Sequence, residues 1–102
     1  MRVISRRSLN DFAARYPEAA SGLNAWYRVV RNARWKDLVE LRRNYPAADL
    51  VKARSGRPIV VFNIGGNKFR LIAAVRYNRQ LIYVLRVLTH ADYDRLPWRD
   101  QL

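Results

Sequence analysis

"IVVFNIGGNKFRLIAAVRYNRQLIYVLRVLTH", Ile59 to His90, is the stretch whose reading decides the fold. Runs rich in β-branched and aromatic residues are interrupted at Gly65-Gly66 and again at Asn78-Arg79-Gln80. Such punctuation predicts a strand over Ile59 to Ile64 and an antiparallel hairpin of Lys68 to Tyr77 with Leu81 to Thr89. Within the first arm the even positions are Lys68, Arg70, Ile72, Ala74 and Arg76, and the odd ones Phe69, Leu71, Ala73, Val75 and Tyr77. A period of two therefore gives one apolar face and one face that is cationic at its ends. The hairpin register decides whether Arg86 and His90 join the cationic face. A three-residue loop at Tyr77-Asn78-Arg79 would pair Arg70 with Arg86 and gather Lys68, Arg70, Arg86 and His90 on one surface. A two-residue turn at Asn78-Arg79 would put Arg86 and His90 behind the sheet. An unpaired cation buried under helices costs about 3–5 kcal/mol, which favours the longer loop. Gly65-Gly66 suit a tight turn that bulkier residues could not make and leave backbone N–H groups open to a phosphate, while Asn67 is suited to capping that turn.

Upstream of this stretch the period changes. Arg2-Val3-Ile4 reads as a short strand, and Ser5 is placed to cap a helix from Arg6 to about Tyr16 with Leu9, Phe12 and Ala13 on one side. Pro17 suits the first turn of a second helix, in which Ala19, Ala20, Leu23, Trp26, Tyr27 and Val30 recur at helical spacing as far as Ala33. Trp35 to Tyr45 predicts a third, short helix ended by Pro46, and Ala48 to Ala53 an edge strand. The order predicts an α+β fold, with two to three N-terminal helices on one face of a small antiparallel sheet and the other face open for binding. A chain of 102 residues, half of them hydrophobic, is expected to form a single domain over residues 1–102.

Charge narrows the class of partner. Twenty Lys and Arg against eight Asp and Glu give a formal net charge of +12, and 17 of the cations are arginine. A field of that sign attracts polyanions, and the guanidinium fork matches phosphate and stacks on bases, so nucleic acid or an acidic protein is implied. With no cysteine and one histidine, a zinc site is disfavoured, and a metal-free, cofactor-free chemistry is expected. The N-terminus turns basic too soon for a secretory signal and no run matches a membrane span, so a cytoplasmic protein without membrane contact is expected. Without a surplus apolar stripe, a free monomer is expected.

His90 carries the imidazole whose ordinary titration lies near neutrality, the range for acid or base catalysis of phosphodiester cleavage. Tyr93 follows it in Thr89-His90-Ala91-Asp92-Tyr93-Asp94 and could stack a base, orient a nucleophile or close the core. Lys68, Arg70 and Arg86 are the cations that could line the same face as His90. Trp26, Tyr27, Trp35 and Trp98 read as core or partner-contact residues rather than base-stacking platforms.

These runs resemble a known family. "VVFNIGGNKFRLIAAVRY" and "VLRVLTHADYD", with the N-x-G-G-N-K-x-R-L block and the T-H-x-x-Y-D ending, are similar to HigB toxins of type II toxin–antitoxin modules, within the RelE/ParE superfamily. The likeness extends over nearly the whole chain and maps onto Asn63, Gly65, Gly66, Asn67, Lys68, Arg70, His90 and Tyr93. It implies a microbial-RNase-like α+β fold, an mRNA interferase that cuts translated mRNA on the ribosome, and neutralisation by a HigA-type helix-turn-helix antitoxin, the pair binding operator DNA. On that reading Lys68, Arg70 and Arg86 are candidates for stabilising charge on phosphorus, with Asn63, Asn67 and Arg76 as further RNA contacts. One position departs: the family pattern has an arginine five residues before the histidine, where this chain has Leu85 with Arg86 beside it. Two other readings stand beside this one, a ParE-like gyrase poison of the same fold and a basic module that holds RNA without cutting it.

Overall fold

The structure, a computed structural model, describes residues 1–95 and 97–102. Its strands are β1 (Arg2–Ile4), β2 (Asp49–Lys52), β3 (Pro58–Ile64), β4 (Phe69–Arg76) and β5 (Leu81–Thr89). Its α-helices are α1 (Arg6–Arg15), α2 (Ala20–Asn32), α3 (Leu38–Asn44) and α4 (His90–Arg95), with 3-10 turns at Pro17–Ala19, Tyr77–Arg79 and Trp98–Gln101. The strands form one sheet in the order β1-β5-β4-β3-β2. The α+β class is as the pattern predicts, but the sheet is mixed, because β1 runs parallel to β5 with Arg2 opposite Leu81 and Ile4 opposite Tyr83. A parallel neighbour requires a long connection, and the three helices and strands β2, β3 and β4 that lie between β1 and β5 in the chain supply it. None of the described helices is long and apolar enough to cross a membrane.

The helices cover one face of the sheet. Leu9, Leu23, Trp26, Val30 and Leu41 pack with Val60, Phe62, Ile64, Leu71, Ala73, Ile82 and Val84 in the main core. Phe62 sits at its centre, edge-on to Trp26 (centroids 5.5 Å apart) and to Tyr45 (5.2 Å). Ser5 occupies the residue before α1 at φ 70° but makes no side-chain cap, contrary to expectation. Its carbonyl instead accepts the Ser8 N–H (3.0 Å). The side-chain cap is found at α3, where Asp37 Oδ1 accepts the Glu40 N–H (3.0 Å) and Glu40 Oε1 accepts the Lys36 N–H (2.6 Å).

The opposite face is not left open. Ile59, Val61 and Ile72 form a second cluster there with Trp98, joined by Leu85, Leu88 and Tyr93. The Ile and Val side chains that β-strand pairing brings to this face are apolar, so α4 and the C-terminal 3-10 turn fold back over them.

The β4–β5 hairpin differs from both registers considered from sequence. Arg76 pairs with Leu81, so the loop holds four residues, Tyr77 to Gln80, with Gln80 in a left-handed conformation (φ 53°). That loop alone would turn Arg86 toward the helices. A bulge intervenes: Ala73 pairs with Val84 but Ile72 with Arg86, leaving Leu85 as the extra residue. Beyond it Arg70 lies opposite Leu88 rather than Arg86. Arg86 thus escapes the core as its charge demands, through a bulge rather than through loop length.

Candidate functional site

The site begins at the β3–β4 turn. Gly65, Gly66 and Asn67 adopt φ of 63°, 64° and 79°, three consecutive left-handed residues that account for both glycines and for asparagine, the side-chain-bearing type that tolerates this region well. The reversal places Asn63 directly across from Arg70, so both side chains belong to the same sheet face, Asn63 exposed and Arg70 8% exposed. Arg70 donates from one terminal guanidinium nitrogen to the carbonyls of Asn67 (3.1 Å) and Phe69 (3.2 Å), which aims the fork at the turn. Its guanidinium carbon lies 5.6 Å from the centre of the Tyr93 ring, a cation–π contact. Among the described residues Arg70 is the one buried charged side chain, and no carboxylate pairs with it.

His90 arrives from the other strand. Its N–H donates to the Lys68 carbonyl (2.9 Å), which continues the β4–β5 ladder one step past Phe69 opposite Thr89. Thr89 Oγ1 then accepts the Asp92 N–H (3.1 Å), starting α4. On this helix His90 Nδ1 stands 3.5 Å from Asp94 Oδ2, while Asp92 is taken by Arg95 (2.7 Å). The His90 side chain remains 47% exposed, accessible to a substrate. Tyr93, half-buried, stacks on Trp98 (centroids 5.1 Å, planes 26° apart), and the Trp98 indole N–H donates to the Tyr93 carbonyl (3.0 Å). Packing and the Arg70 contact together hold the ring in place.

The turn and the strand end thus bring together Asn63, Asn67, Lys68, Arg70, His90 and Tyr93. Lys68 is exposed at the turn. Arg86 shares the face, two ladder positions from Arg70, and is exposed with its guanidinium donating to Gln101 Oε1 (2.8 Å). The bulge at Leu85 delivers Arg86 to this face. Arg76 does not belong to the group, for six residues of strand place it about 20 Å from Arg70. Trp26, Trp35 and Trp98 are buried, as expected of core residues, and Tyr27 is half-buried with Arg6 over its ring (4.2 Å). The sequence reading passed over Asp94, although its position four residues after His90 was a legible helical signal. Nothing in the sequence pointed to Gln101.

Chemically the arrangement offers a buried cation, an exposed imidazole beside a carboxylate, an exposed lysine and a phenol, groups of the kinds that in-line cleavage of a phosphodiester uses. The family model for the RelE-like toxic component of a toxin–antitoxin system, the HigB toxin, matches residues 19–96. An mRNA interferase HigB from Escherichia coli O6:H1 is 31% identical over 96 residues, spanning 94% of this chain and 91% of that protein. The mRNA interferase toxin HigB of Escherichia coli strain K12 is 32% identical over 94 residues, spanning 92% and 88%. Matches of this extent, with the glycine turn and the histidine ending gathered at one place in the fold, show that the chain belongs to the HigB toxin family.

Proposed function

We propose that this chain is the toxin of a type II toxin–antitoxin module and acts as an mRNA interferase, a metal-independent endoribonuclease that cuts messages during translation on the ribosome. The activity is the one that its HigB relatives carry in their names. The observation that carries the chemistry is Arg70: a buried guanidinium without a carboxylate is costly, and it repays that cost only when an anion docks against it. A phosphate in that position would receive charge-assisted hydrogen bonds from Arg70, with Lys68 and Arg86 closing around it.

In this reading the RNA 2′-hydroxyl attacks the adjacent phosphorus, the P–O5′ bond breaks, and the products are a cyclic phosphate and a 5′-hydroxyl. Arg70 stabilises the charge that builds on the phosphorane, and removal of one such donor costs about a hundredfold to a thousandfold. His90 moves the proton. Asp94 Oδ2, 3.5 Å from Nδ1, supports the charged imidazole, and Tyr93, with Arg70 over its ring, orients the nucleophile or a neighbouring base. Asn63 and Asn67 contact the RNA beside the turn, and Arg76 reaches it only where the strand of RNA runs on along β4. Membership of the family places the chain in a module with an antitoxin; a helix-turn-helix protein of the HigA type is the expected partner, with the pair binding operator DNA.

The test is to map message 5′ ends after brief induction of the toxin without antitoxin, beside Arg70→Ala and His90→Gln. New 5′ ends inside translated frames that disappear with either substitution support the reading. Growth arrest with intact messages overturns it.

A further inference from the structure

The end of the sheet away from His90 carries a second cationic feature. Arg2 on β1, Arg31 and Arg34 at and just beyond the end of α2, and Arg79 in the β4–β5 loop ring a depression of about 600 Å³. That space admits a nucleotide-sized group rather than a single ion. All four arginines are exposed, and none takes part in an ion pair among the described residues.

The backbone beneath them is tied together. The Arg2 N–H donates to the Gln80 carbonyl (2.8 Å), and the Met1 amino group donates to the carbonyls of Val30 (3.0 Å) and Arg31 (3.4 Å) at the end of α2. Gln80 Nε2 donates to the Trp35 carbonyl (2.7 Å), fastening the hairpin loop to the segment after α2. The scaffold is therefore fixed while the guanidinium groups extend from it. Burial first, and the Arg34 charge second, hold the Met1 amino group below its ordinary value.

We propose that this depression is a second RNA-phosphate site, which grips RNA backbone at a distance from the bond being cut. It rests on the ribonuclease reading only in taking RNA as the polyanion. Its place, across the length of β4 from Arg70, is about 20 Å from the first site. A protein partner would call for an apolar centre to the interface. The apolar members of the lining, Met1, Ala33 and Leu81, are buried or half-buried, and the exposed large apolar residues Val29, Val39 and Leu50 lie outside it, whereas planar arginine forks match phosphate oxygens directly.

The experiment is a titration of fully 2′-O-methylated single-stranded RNA, which cannot be cleaved, into the whole protein between about 50 and 200 mM salt. The triple variant Arg31→Gln, Arg34→Gln, Arg79→Gln is compared with a control triple, Arg7→Gln, Arg43→Gln, Arg54→Gln, that removes the same charge from exposed positions elsewhere. The first triple should weaken binding about tenfold or more and lower the salt slope by about two, with a smaller change for the control. Equal effects of the two triples would reduce the feature to the general field and overturn the proposal. So would unchanged RNA binding with loss of binding to polyglutamate, which would assign the surface to an acidic protein. Because the probe is uncleavable, failure here leaves the cleavage test independent.

Discussion

At Arg70 the proposed function and the stability of the fold make opposite demands on a single residue. Its charge is buried without a carboxylate and held by two backbone carbonyls and a tyrosine ring. Replacement by a methionine of similar length removes the desolvated charge and keeps most of the packing. Arg70→Met should therefore unfold at the same temperature as the parent or a higher one, while cleavage falls about a hundredfold to a thousandfold. A large loss of melting temperature would show that Arg70 is structural. His90 and Asp94 make the complementary case. Their 3.5 Å separation is a pair on an exposed helix, worth little to stability. Asp94→Asn should leave the melting temperature in place yet slow turnover about tenfold, less than the His90→Gln loss of about a hundredfold or more, and Asp94→Glu should restore part of it. Equal rates for parent and Asp94→Asn would remove Asp94 from the mechanism.

At the level of elements, the turn that carries the candidate site is set by the helix packed behind it. Gly22 on α2 passes so near the β3–β4 turn that a Cβ there would lie 2.9 Å from Ile64 Cγ2 and 3.0 Å from the Gly65 nitrogen. Alanine in a helix interior is ordinarily favourable by about 1 kcal/mol over glycine. Here the backbone nitrogen cannot move aside cheaply, so Gly22→Ala should destabilise the fold by about 1–3 kcal/mol in chemical denaturation and lower cleavage by displacing Gly65. A stabilised variant would contradict that packing. The β5 bulge has the same character: the alternation of apolar residues announced two strands, but the extra residue at Leu85 that turns Arg86 outward answers to the whole sheet.

Across the whole molecule, the main core couples folding to alkaline pH. Tyr45, between Trp35 and Phe62, has its phenol pushed up to about 12 by burial. The folded state holds this proton more tightly than the unfolded chain, whose tyrosine titrates near 10. The contribution is complete below that value and is lost as pH climbs toward 12, where the ring must ionise within the core. Thermal unfolding at pH near 9 and near 11 should show a smaller decline for Tyr45→Phe than for the parent; equal declines would show that the phenol is solvated in the folded protein.

Much of this protein was determined by its sequence alone. The period-two runs from Ile59 to Thr89, the helical stripes from Leu9 to Val30, the basic balance and the glycine turn are local or compositional properties, set by side-chain alternation and backbone sterics, and they carried the α+β class, the net positive charge and the nearness of Lys68, Arg70, His90 and Tyr93 to one another. Tertiary structure decided what depends on distant segments meeting. The parallel pairing of β1 with β5, the tail folding over the second apolar face, and the bulge that reverses the parity of β5 each satisfy a burial demand posed by residues far away in the chain. The ring formed by Arg2, Arg31, Arg34 and Arg79 is of that kind too, since its members come together only because hydrogen bonds tie the first strand, the end of α2 and the hairpin loop to one another.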